Sequence, residues 1–193
     1  MLFEMISAGF GGQGILFLGD MIAEAALREN LQVTFLPTYG VAMRGGTANC
    51  VVTISDEEIG APLLDEPHAA IIMNEPSLVK FQPLIRPGGV IIANSTIIDP
   101  AAFNRAGDLR IVWIPATKMS REIAGTEKSA NVIALGAFLA VEPVVSVATI
   151  ETIIREYAFA KKPHLIESNL AALHAGLEYA PGPCACSCGG KCN

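Results

Sequence analysis

The sequence has 193 residues and a formal net charge of −6, and 51% of its residues are hydrophobic. This length suits one domain whose core folds without disulfides, and the negative charge disfavours nucleic acid, which binds clustered Lys and Arg. The apolar fraction predicts a thick core or surfaces that partner subunits cover. A membrane span is not predicted, because the longest apolar run is residues 132–141, and a span requires about 20 residues.

Apolar strand-type runs alternate with helical patterns along the chain. The first run follows Met1 without a basic leader and enters a glycine turn rather than a cleavage site, which predicts a cytoplasmic protein. Strands are predicted at residues 2–8, 32–36, 47–55, 69–73, 89–93 and 109–114. Helices are predicted at residues 15–29, 77–85, 129–141, 147–160 and 165–179.

Strands that interleave with helices predict a single three-layer α/β/α domain. We place this domain at residues 1–180 and a Cys-rich tail at residues 181–193. The second and third strands are joined by "PTYGVAMRGG", which is too short for a parallel crossover, so the sheet is predicted to be mixed and largely parallel. A smooth helix face that another element approaches closely is predicted from four alanines: Ala130, Ala134, Ala137 and Ala140.

The turn at residues 9–14 fits the pattern G-x-G-x-x-G directly after the first strand. Such a turn binds a pyrophosphate through backbone amides at a helix N-terminus, or serves packing alone. A Rossmann site also needs an Asp or Glu about 20 residues further on, and no carboxylate occurs between Gln32 and Asp56. Gln13 adds an amide that can donate to a ligand or to a partner's backbone. Replacing Gly11 with Val is predicted to impair folding or assembly.

Three motifs occur in order: "GFGGQGI" after the first strand, "YGVAMRGGTANCVVTIS" around the second loop, and "SANVIALGAF" on a late helix. Together they resemble the gamma subunit of the CoA-dependent 2-oxoacid:ferredoxin oxidoreductases, over residues 3 to 180. Within that family, "MRGGTANC", "ISDEEIGAP" and "MNEPSLVKF" are most similar to the 2-oxoglutarate and branched-chain types, and 2-oxoglutarate is favoured.

This resemblance implies a domain that joins partner subunits carrying thiamine diphosphate and iron–sulfur clusters. The partners are alpha and beta subunits, with a delta subunit as a further candidate. The family's holoenzyme decarboxylates a 2-oxoacid on thiamine diphosphate, passes two electrons to ferredoxin and transfers the acyl group to CoA, the co-substrate. This chain has no thiamine diphosphate motif of the G-D-G…N-N kind and no ferredoxin Cys array before its tail. We therefore assign it no catalytic residue.

The loop at residues 39–49 combines small residues with one cation, Arg44. Such a loop can close over an anion, and Arg44 can bind phosphate or carboxylate with two hydrogen bonds. The phosphates of CoA and the carboxylate of a 2-oxoacid both qualify, and an ion pair across a subunit interface is the alternative. The predicted ligand- or interface-binding set is Gly9, Gly11, Gly12, Gln13, Gly14, Tyr39, Arg44, Gly45, Gly46, Thr47 and Asn49.

The other reactive side chains do not indicate a metal site or a catalytic site. The three histidines are far apart in sequence and form no metal-binding pattern. Cys50 lies in the apolar strand "ANCVVTI", where a free Cys behaves as a small hydrophobe.

The tail "PGPCACSCGGKCN" is distinct, because four thiols occur within nine residues as C-x-C-x-C-x3-C. In a reducing compartment such density favours an iron–sulfur cluster or a soft metal over disulfides, yet the spacing matches only the last interval of a ferredoxin run. A disordered extension is the alternative. The candidate metal ligands are Cys184, Cys186, Cys188 and Cys192.

Three functions compete for this sequence. The leading one is the gamma subunit of a 2-oxoacid:ferredoxin oxidoreductase. An NAD(P)-binding, Rossmann-like oxidoreductase is favoured by the glycine turn and disfavoured by the missing acid. A purely structural scaffold within the complex is favoured by the lack of a catalytic constellation.

Overall fold

The computed structural model describes residues 1–39, 46–60, 66–104, 109–159 and 161–180. The strands are β1 (Leu2–Phe10), β2 (Gln32–Tyr39), β3 (Thr47–Ser55), β4 (Ala69–Ile72), β5 (Val90–Asn94) and β6 (Arg110–Ile114). The α-helices are α1 (Ile15–Arg28), α2 (Glu75–Phe81), α3 (Ala116–Ala124), α4 (Ala130–Val141), α5 (Val147–Ile153) and α6 (Ile166–Tyr179). Short 3-10 turns occupy Gln82–Leu84, Pro100–Ala102 and Pro163–Leu165, and a π turn, Ile154–Ala158, continues α5.

The six strands form one sheet in the order β2-β3-β1-β4-β5-β6. β3 runs antiparallel to β1 and β2, and the pairs β1–β4, β4–β5 and β5–β6 are parallel. The prediction of a mixed, largely parallel sheet is confirmed. The chain returns along β3 directly because a short loop can join only antiparallel neighbours.

Helices cover both faces of the sheet, which confirms the three-layer prediction. On one face Met5 of β1 belongs to a large apolar cluster with α1, α4 and α6. On the other face Ile6 and Ala8 of the same strand belong to a smaller cluster with Leu78 and Phe81 of α2. This alternation follows from the two-residue period of a strand. Because α1 and α2 pack on opposite faces beside neighbouring strands, the sheet has a topological switch point between β1 and β4.

Helix α4 lies in the core, and its only residue that is not fully buried is Ala140. Its close neighbour is α6, and the closest approach is at two glycines, Gly136 and Gly176. A Cβ on Gly176 would also lie 2.9 Å from the main-chain nitrogen of Ala137. The predicted close approach to α4 is therefore present, but glycine rather than the alanine series permits it.

Three helical predictions needed correction. Helix α3 was not predicted, because it is short and polar on average, and its buried residues are the small Ala116, Thr117 and Ser120. The predicted helix at residues 77–85 is α2 followed by the turn Gln82–Leu84, since Pro83 has no N–H to continue the helix. The predicted helix at residues 147–160 changes to π geometry after Ile153. In the described part of the chain, no helix has the length and apolarity to cross a bilayer.

Candidate functional site

The glycine turn lies at the carboxyl end of β1, beside the switch point of the sheet. Gly12 has a φ of 94° and Gly14 a φ of 72°, and Gly14 immediately precedes α1. Side chains other than glycine rarely adopt such angles. The turn is therefore specific for glycine at these two positions, and it presents bare backbone at the start of α1.

Steric contact selects glycine at a further position of the turn. A Cβ on Gly9 would lie 2.6 Å from Oε1 of Gln13 and 2.8 Å from Cδ1 of Ile15. On Gly11, by contrast, the nearest described atom would be the carbonyl oxygen of Gly46, at 3.8 Å, and the φ of Gly11 is not positive. Among the described residues nothing crowds Gly11, so the tight contacts of the turn are at Gly9 and Gly14, and the effect of Gly11→Val on assembly stays a prediction.

Gln13 connects the ends of two neighbouring strands. Its Oε1 accepts a hydrogen bond from the backbone N–H of Phe10 at 2.6 Å, and its Nε2 donates to the carbonyl oxygen of Met73 at 3.1 Å. Phe10 ends β1, and Met73 follows β4. Gln13 thus bridges the switch point, so the amide that was a candidate ligand donor has a structural function.

The sheet register brings the glycine turn and the predicted loop together. The N–H of Gly11 donates to the carbonyl oxygen of Gly46 at 3.0 Å, and Phe10 pairs with Thr47 across the β1–β3 ladder. Asn49 pairs with Ala8 two positions further along the ladder and is buried. Because β3 is antiparallel to β1, its first residues lie beside the last residues of β1.

The remaining predicted loop and tail residues are only partly placed. The backbone of Tyr39 ends β2 opposite Ala48. Arg44 and Gly45 lie outside the described residues, and their proposed role in anion binding stays a prediction. The same holds for the tail cysteines Cys184, Cys186, Cys188 and Cys192.

A large cleft opens between the glycine turn and the π turn, with a volume of about 810 Å³. Its lining includes three lysines, Lys128, Lys161 and Lys162, and the backbone of Gly12 and Gly14. An aromatic wall is supplied by Phe17, Tyr157 and Phe159. The rings of Phe17 and Phe159 contact edge to face, with centroids 5.4 Å apart. The cleft therefore combines positive charge with flat apolar surface. We call it the basic cleft.

A smaller cavity of about 350 Å³ lies beside the basic cleft and shares Gly12 and Lys128 with it. Thr117 of α3 and Ala130 of α4 also line this cavity. The first turns of α1, α3 and α4 carry no acidic residue. Helix N-termini attract anions through their free N–H groups and the helix dipole. The basic cleft, with three lysines to one glutamate, is therefore electrostatically suited to a ligand with anionic groups, whereas the smaller cavity has one residue of each charge, Glu127 and Lys128.

Asn131, in the first turn of α4, connects that helix to the glycine turn. Its Nδ2 donates to the carbonyl oxygen of Gly14 at 3.1 Å, across 117 positions of sequence. Asn131 is buried, and it lines the basic cleft. The hydrogen bond holds the N-termini of α1 and α4 side by side, so the lysines and the glycine turn lie on one cleft.

Among the described residues that line the basic cleft, Glu156 is the acidic one. Glu156 pairs with Arg28 at 3.6 Å. Burial raises the pKa of the nearby Asp20, with a further increase from Glu24, against a hydrogen bond from Tyr157 that lowers it. The lysines therefore outnumber the one acidic residue that lines the cleft.

The reactive side chains elsewhere are structural. Cys50 is fully buried, and burial raises the pKa of its thiol to about 12. The small-hydrophobe interpretation of Cys50 is thus confirmed. His68 accepts a hydrogen bond from the N–H of Glu4 at 3.2 Å and contacts the ring of Phe3. Within the described residues no group of three or more His, Cys, Asp or Glu could hold a metal ion.

The topology around the glycine turn also differs from that of a Rossmann site. In a Rossmann unit, the acid that binds the ribose ends the strand next to β1. Here β3 lies between β1 and β2, so the end of β2 is two strand spacings, about 10 Å, from the turn. The missing carboxylate and the inserted strand both disfavour a dinucleotide site at this turn.

Sequence reasoning missed Lys128, Lys161, Lys162 and Asn131. A signal existed for Asn131, because it is the single strongly polar side chain in the apolar helix of "SANVIALGAF". The lysines gave no local signal, since only the fold brings them to the glycine turn.

The profile of the family described as pyruvate ferredoxin/flavodoxin oxidoreductase matches residues 4–179. This chain belongs to that family. The resemblance inferred from the three motifs is thereby confirmed.

Relatives in this family are subunits of 2-oxoacid oxidoreductases. The ketoisovalerate oxidoreductase subunit VorA of Methanothermobacter thermautotrophicus is 38% identical over 90% of this chain, and the chain spans 35% of that protein. The 2-oxoglutarate synthase subunit KorC of the same organism is 32% identical over 91% of this chain and 93% of its own length. Among solved structures, the gamma subunit of a keto/oxoacid ferredoxin oxidoreductase from Geobacter sulfurreducens PCA superposes with a TM-score of 0.76 at 26% identity, covering 92% of this chain and 98% of that one.

Proposed function

We propose that this chain is the gamma-type subunit of a CoA-dependent 2-oxoacid:ferredoxin oxidoreductase. In that reaction the 2-oxoacid loses CO2 and two electrons, the electrons reduce ferredoxin, and the acyl group joins the sulfur of CoA. The observation that carries the proposal is the basic cleft, which we assign to the phosphate-bearing nucleotide end of CoA.

The chemistry of the cleft supports CoA over a small anion. Three lysines and the bare backbone of the glycine turn suit phosphate groups. The aromatic wall suits the flat adenine ring. A volume of about 810 Å³ exceeds what a 2-oxoacid needs and lies within the range of pockets for drug-sized molecules.

The catalytic groups belong on partner subunits in this proposal. Thiamine diphosphate and iron–sulfur clusters need motifs or ligand sets, and in the described part of the chain no cluster of His, Cys, Asp and Glu is suited to a metal. Cys50 is sealed in the core with a raised pKa, so it supplies no nucleophile. The chain's contribution is to bind and orient CoA beside partners that carry the chemistry.

We propose 2-oxoglutarate as the substrate of the assembled enzyme. A relative that matches this chain over most of both lengths, at 32% identity, is named a 2-oxoglutarate synthase subunit. The more identical relative is named for ketoisovalerate, but this chain spans about a third of it. Initial rates with 2-oxoglutarate and with 2-ketoisovalerate at saturating CoA separate the two substrates, and a higher kcat/KM for 2-ketoisovalerate would overturn our assignment.

A paired charge removal tests the cleft. In the assembled enzyme, replacing Lys161 and Lys162 with Ala should raise the KM for CoA about tenfold, because charged hydrogen bonds to phosphate are lost. The KM for the 2-oxoacid should not change. The matched control is Lys80→Ala on α2, where the ammonium lies 4.8 Å from the ring centroid of Phe81 and away from the cleft. An unchanged KM for CoA in the paired variant would remove the cleft from the proposal.

Binding to the separate chain distinguishes the competing functions. A dinucleotide-dependent oxidoreductase would bind NADH or NADPH without partners, whereas the gamma-type subunit should bind CoA and neither dinucleotide. A purely structural scaffold would bind none of the three. Isothermal titration of the full chain with each ligand gives a direct comparison.

A further inference from the structure

Asn131 has a buried hydrogen-bond acceptor to which no described residue donates. Its Nδ2 donates to Gly14, but its Oδ1 has no hydrogen-bond partner among the described residues. The side chain is 3% exposed. An unpaired buried acceptor is destabilising, and native structures keep few of them. An acceptor retained in this state at a cleft needs an explanation.

Two comparable amides in the same region are fully used. Gln13 accepts from Phe10 and donates to Met73. Asn94 accepts from the N–H groups of Thr96 and Thr117, and its Nδ2 donates to Oγ1 of Thr117. Among the described residues, Nδ2 of the buried Asn74 also lacks a partner, but of the buried side-chain atoms without one, only Oδ1 of Asn131 belongs to a residue that lines the basic cleft. The unused acceptor therefore coincides with the cleft.

The chemistry of a carbonyl oxygen restricts what can lie beside it. An ionised phosphate or carboxylate has only acceptors near neutral pH, so it cannot pair with Oδ1 of Asn131. The ligand group at Asn131 must donate a hydrogen bond. The anionic groups of the same ligand have their partners at Lys128, Lys161 and Lys162, which line other parts of the cleft.

We infer that Asn131 is a specificity-determining residue, whose Oδ1 accepts a hydrogen bond from the nucleoside part of the bound nucleotide. This inference rests on the proposed function, since it assigns a role within the CoA cleft. It excludes a simple oxoanion and the carboxylate of a 2-oxoacid as the ligand that completes this site. A nucleotide has both an anionic part for the lysines and a neutral donor, from a ribose hydroxyl or the adenine amino group.

In the unliganded structure Oδ1 is sealed from bulk water. A small shift of the Asn131 side chain that keeps Nδ2 on the carbonyl oxygen of Gly14 brings Oδ1 to the ligand. The ligand's donor then satisfies an acceptor that had no partner before. Discrimination is strong in such a site, because a ligand without the donor leaves the buried oxygen unpaired.

The test uses ADP and three analogues as probes for the full chain, by isothermal titration. Dideoxy-ADP lacks the ribose hydroxyls, purine riboside diphosphate lacks the amino group, and pyrophosphate lacks both. We expect ADP to bind about tenfold more tightly than one of the first two analogues, and the weaker one identifies the donor. Equal affinity of ADP, dideoxy-ADP and purine riboside diphosphate would overturn the inference without any variant.

Two variants test whether Asn131 is responsible for the difference in affinity between ADP and the weaker analogue. In Asn131→Leu the ratio between ADP and the weaker analogue should fall to about one. The control is Asn169→Leu on α6, which removes an equally buried amide whose Nδ2 donates to Leu165 and which does not line the cleft. This variant should keep the ratio of the unmodified chain, and a retained ratio in Asn131→Leu would assign the discrimination to another residue.

The inference and the proposed function fail differently. If ADP and CoA both bind but no analogue is discriminated, Asn131 has no role and the cleft remains a CoA site. If the assembled enzyme uses CoA with an unchanged KM after the paired lysine replacement, the cleft itself is not the CoA site.

Discussion

Gly136 and Gly176 face each other where α4 crosses α6, and neither has room for a methyl group. A Cβ on Gly136 would lie 2.1 Å from the carbonyl oxygen of Leu173, and a Cβ on Gly176 would lie 2.0 Å from that of Ile133. At both glycines the atoms that would clash with a Cβ belong to the main chain, which cannot move aside as a flexible side chain can. The two helix backbones are therefore in direct contact, and this contact supports the first turn of α4 at the cleft.

Replacing Gly136 with Ala should lower the free energy of unfolding by at least about 2 kcal/mol, because overpacking here moves a whole helix. Gly176→Ala should have a similar effect. Urea unfolding measures both. The control is Gly60→Ala, where a Cβ would meet no described atom within 4 Å. A loss in Gly136→Ala no larger than in the control would contradict the close crossing.

Gly14→Ala should destabilise the protein by about 2 kcal/mol or more, since it combines a left-handed φ with crowding. The new Cβ would lie 2.4 Å from Nδ2 of Asn131, so the bond between α1 and α4 is also lost. Gly11→Ala in the same turn should stay within about 0.5 kcal/mol of the unmodified chain. Thermal unfolding of the two variants makes the comparison, and equal losses would mean that the turn is not organised as described.

Stability should depend on pH through Cys50. Burial raises the pKa of this thiol from 9.0 to about 12, although hydrogen bonds with Ser7 and Gly19 oppose the rise. The unfolded state therefore loses the proton first, and the stabilisation is complete below pH 9 and is lost as the pH rises toward 12. Urea unfolding between pH 7 and about 10.5 should show a steeper loss for the unmodified chain than for Cys50→Ala. If the free energies of unfolding of the two proteins changed with pH in parallel, the thiol of Cys50 would not be buried as described.

Arg44→Lys should raise the apparent KM for CoA or for the 2-oxoacid and leave assembly intact, because Lys cannot form the two-bond contact of a guanidinium. Steady-state kinetics of the assembled enzyme measures both constants, and gel filtration checks assembly. Loss of the complex, with normal KM in the residual activity, would place Arg44 at a subunit interface instead.

The cysteine tail should be a passive extension. Iron and acid-labile sulfide can be assayed on the anaerobically reconstituted chain and on a variant truncated after Pro181. We expect equal metal content in both, with unchanged ferredoxin reduction by the truncated enzyme, because the spacing of the four thiols departs from known cluster motifs. Iron that disappears with the tail would instead indicate a cluster there.

Local patterns were sufficient for much of the fold. The apolar runs predicted all six strands, because a buried strand needs apolar residues at short, regular intervals. The short glycine-rich loop before β3 predicted the mixed sheet, since only an antiparallel neighbour can be reached so directly. Helix α3 was not predicted because its nine residues are polar on average and the residues that it buries are small.

The sequence by itself determined the strands, most helices, the glycine turn and the family, because these depend on neighbouring residues or on motifs read in order. Only the tertiary structure placed β3 between β1 and β2, joined Asn131 to Gly14 and brought Lys128, Lys161 and Lys162 to one cleft. Such contacts join residues more than a hundred positions apart. Their free energy depends on the packing of whole helices and strands, which no local pattern encodes.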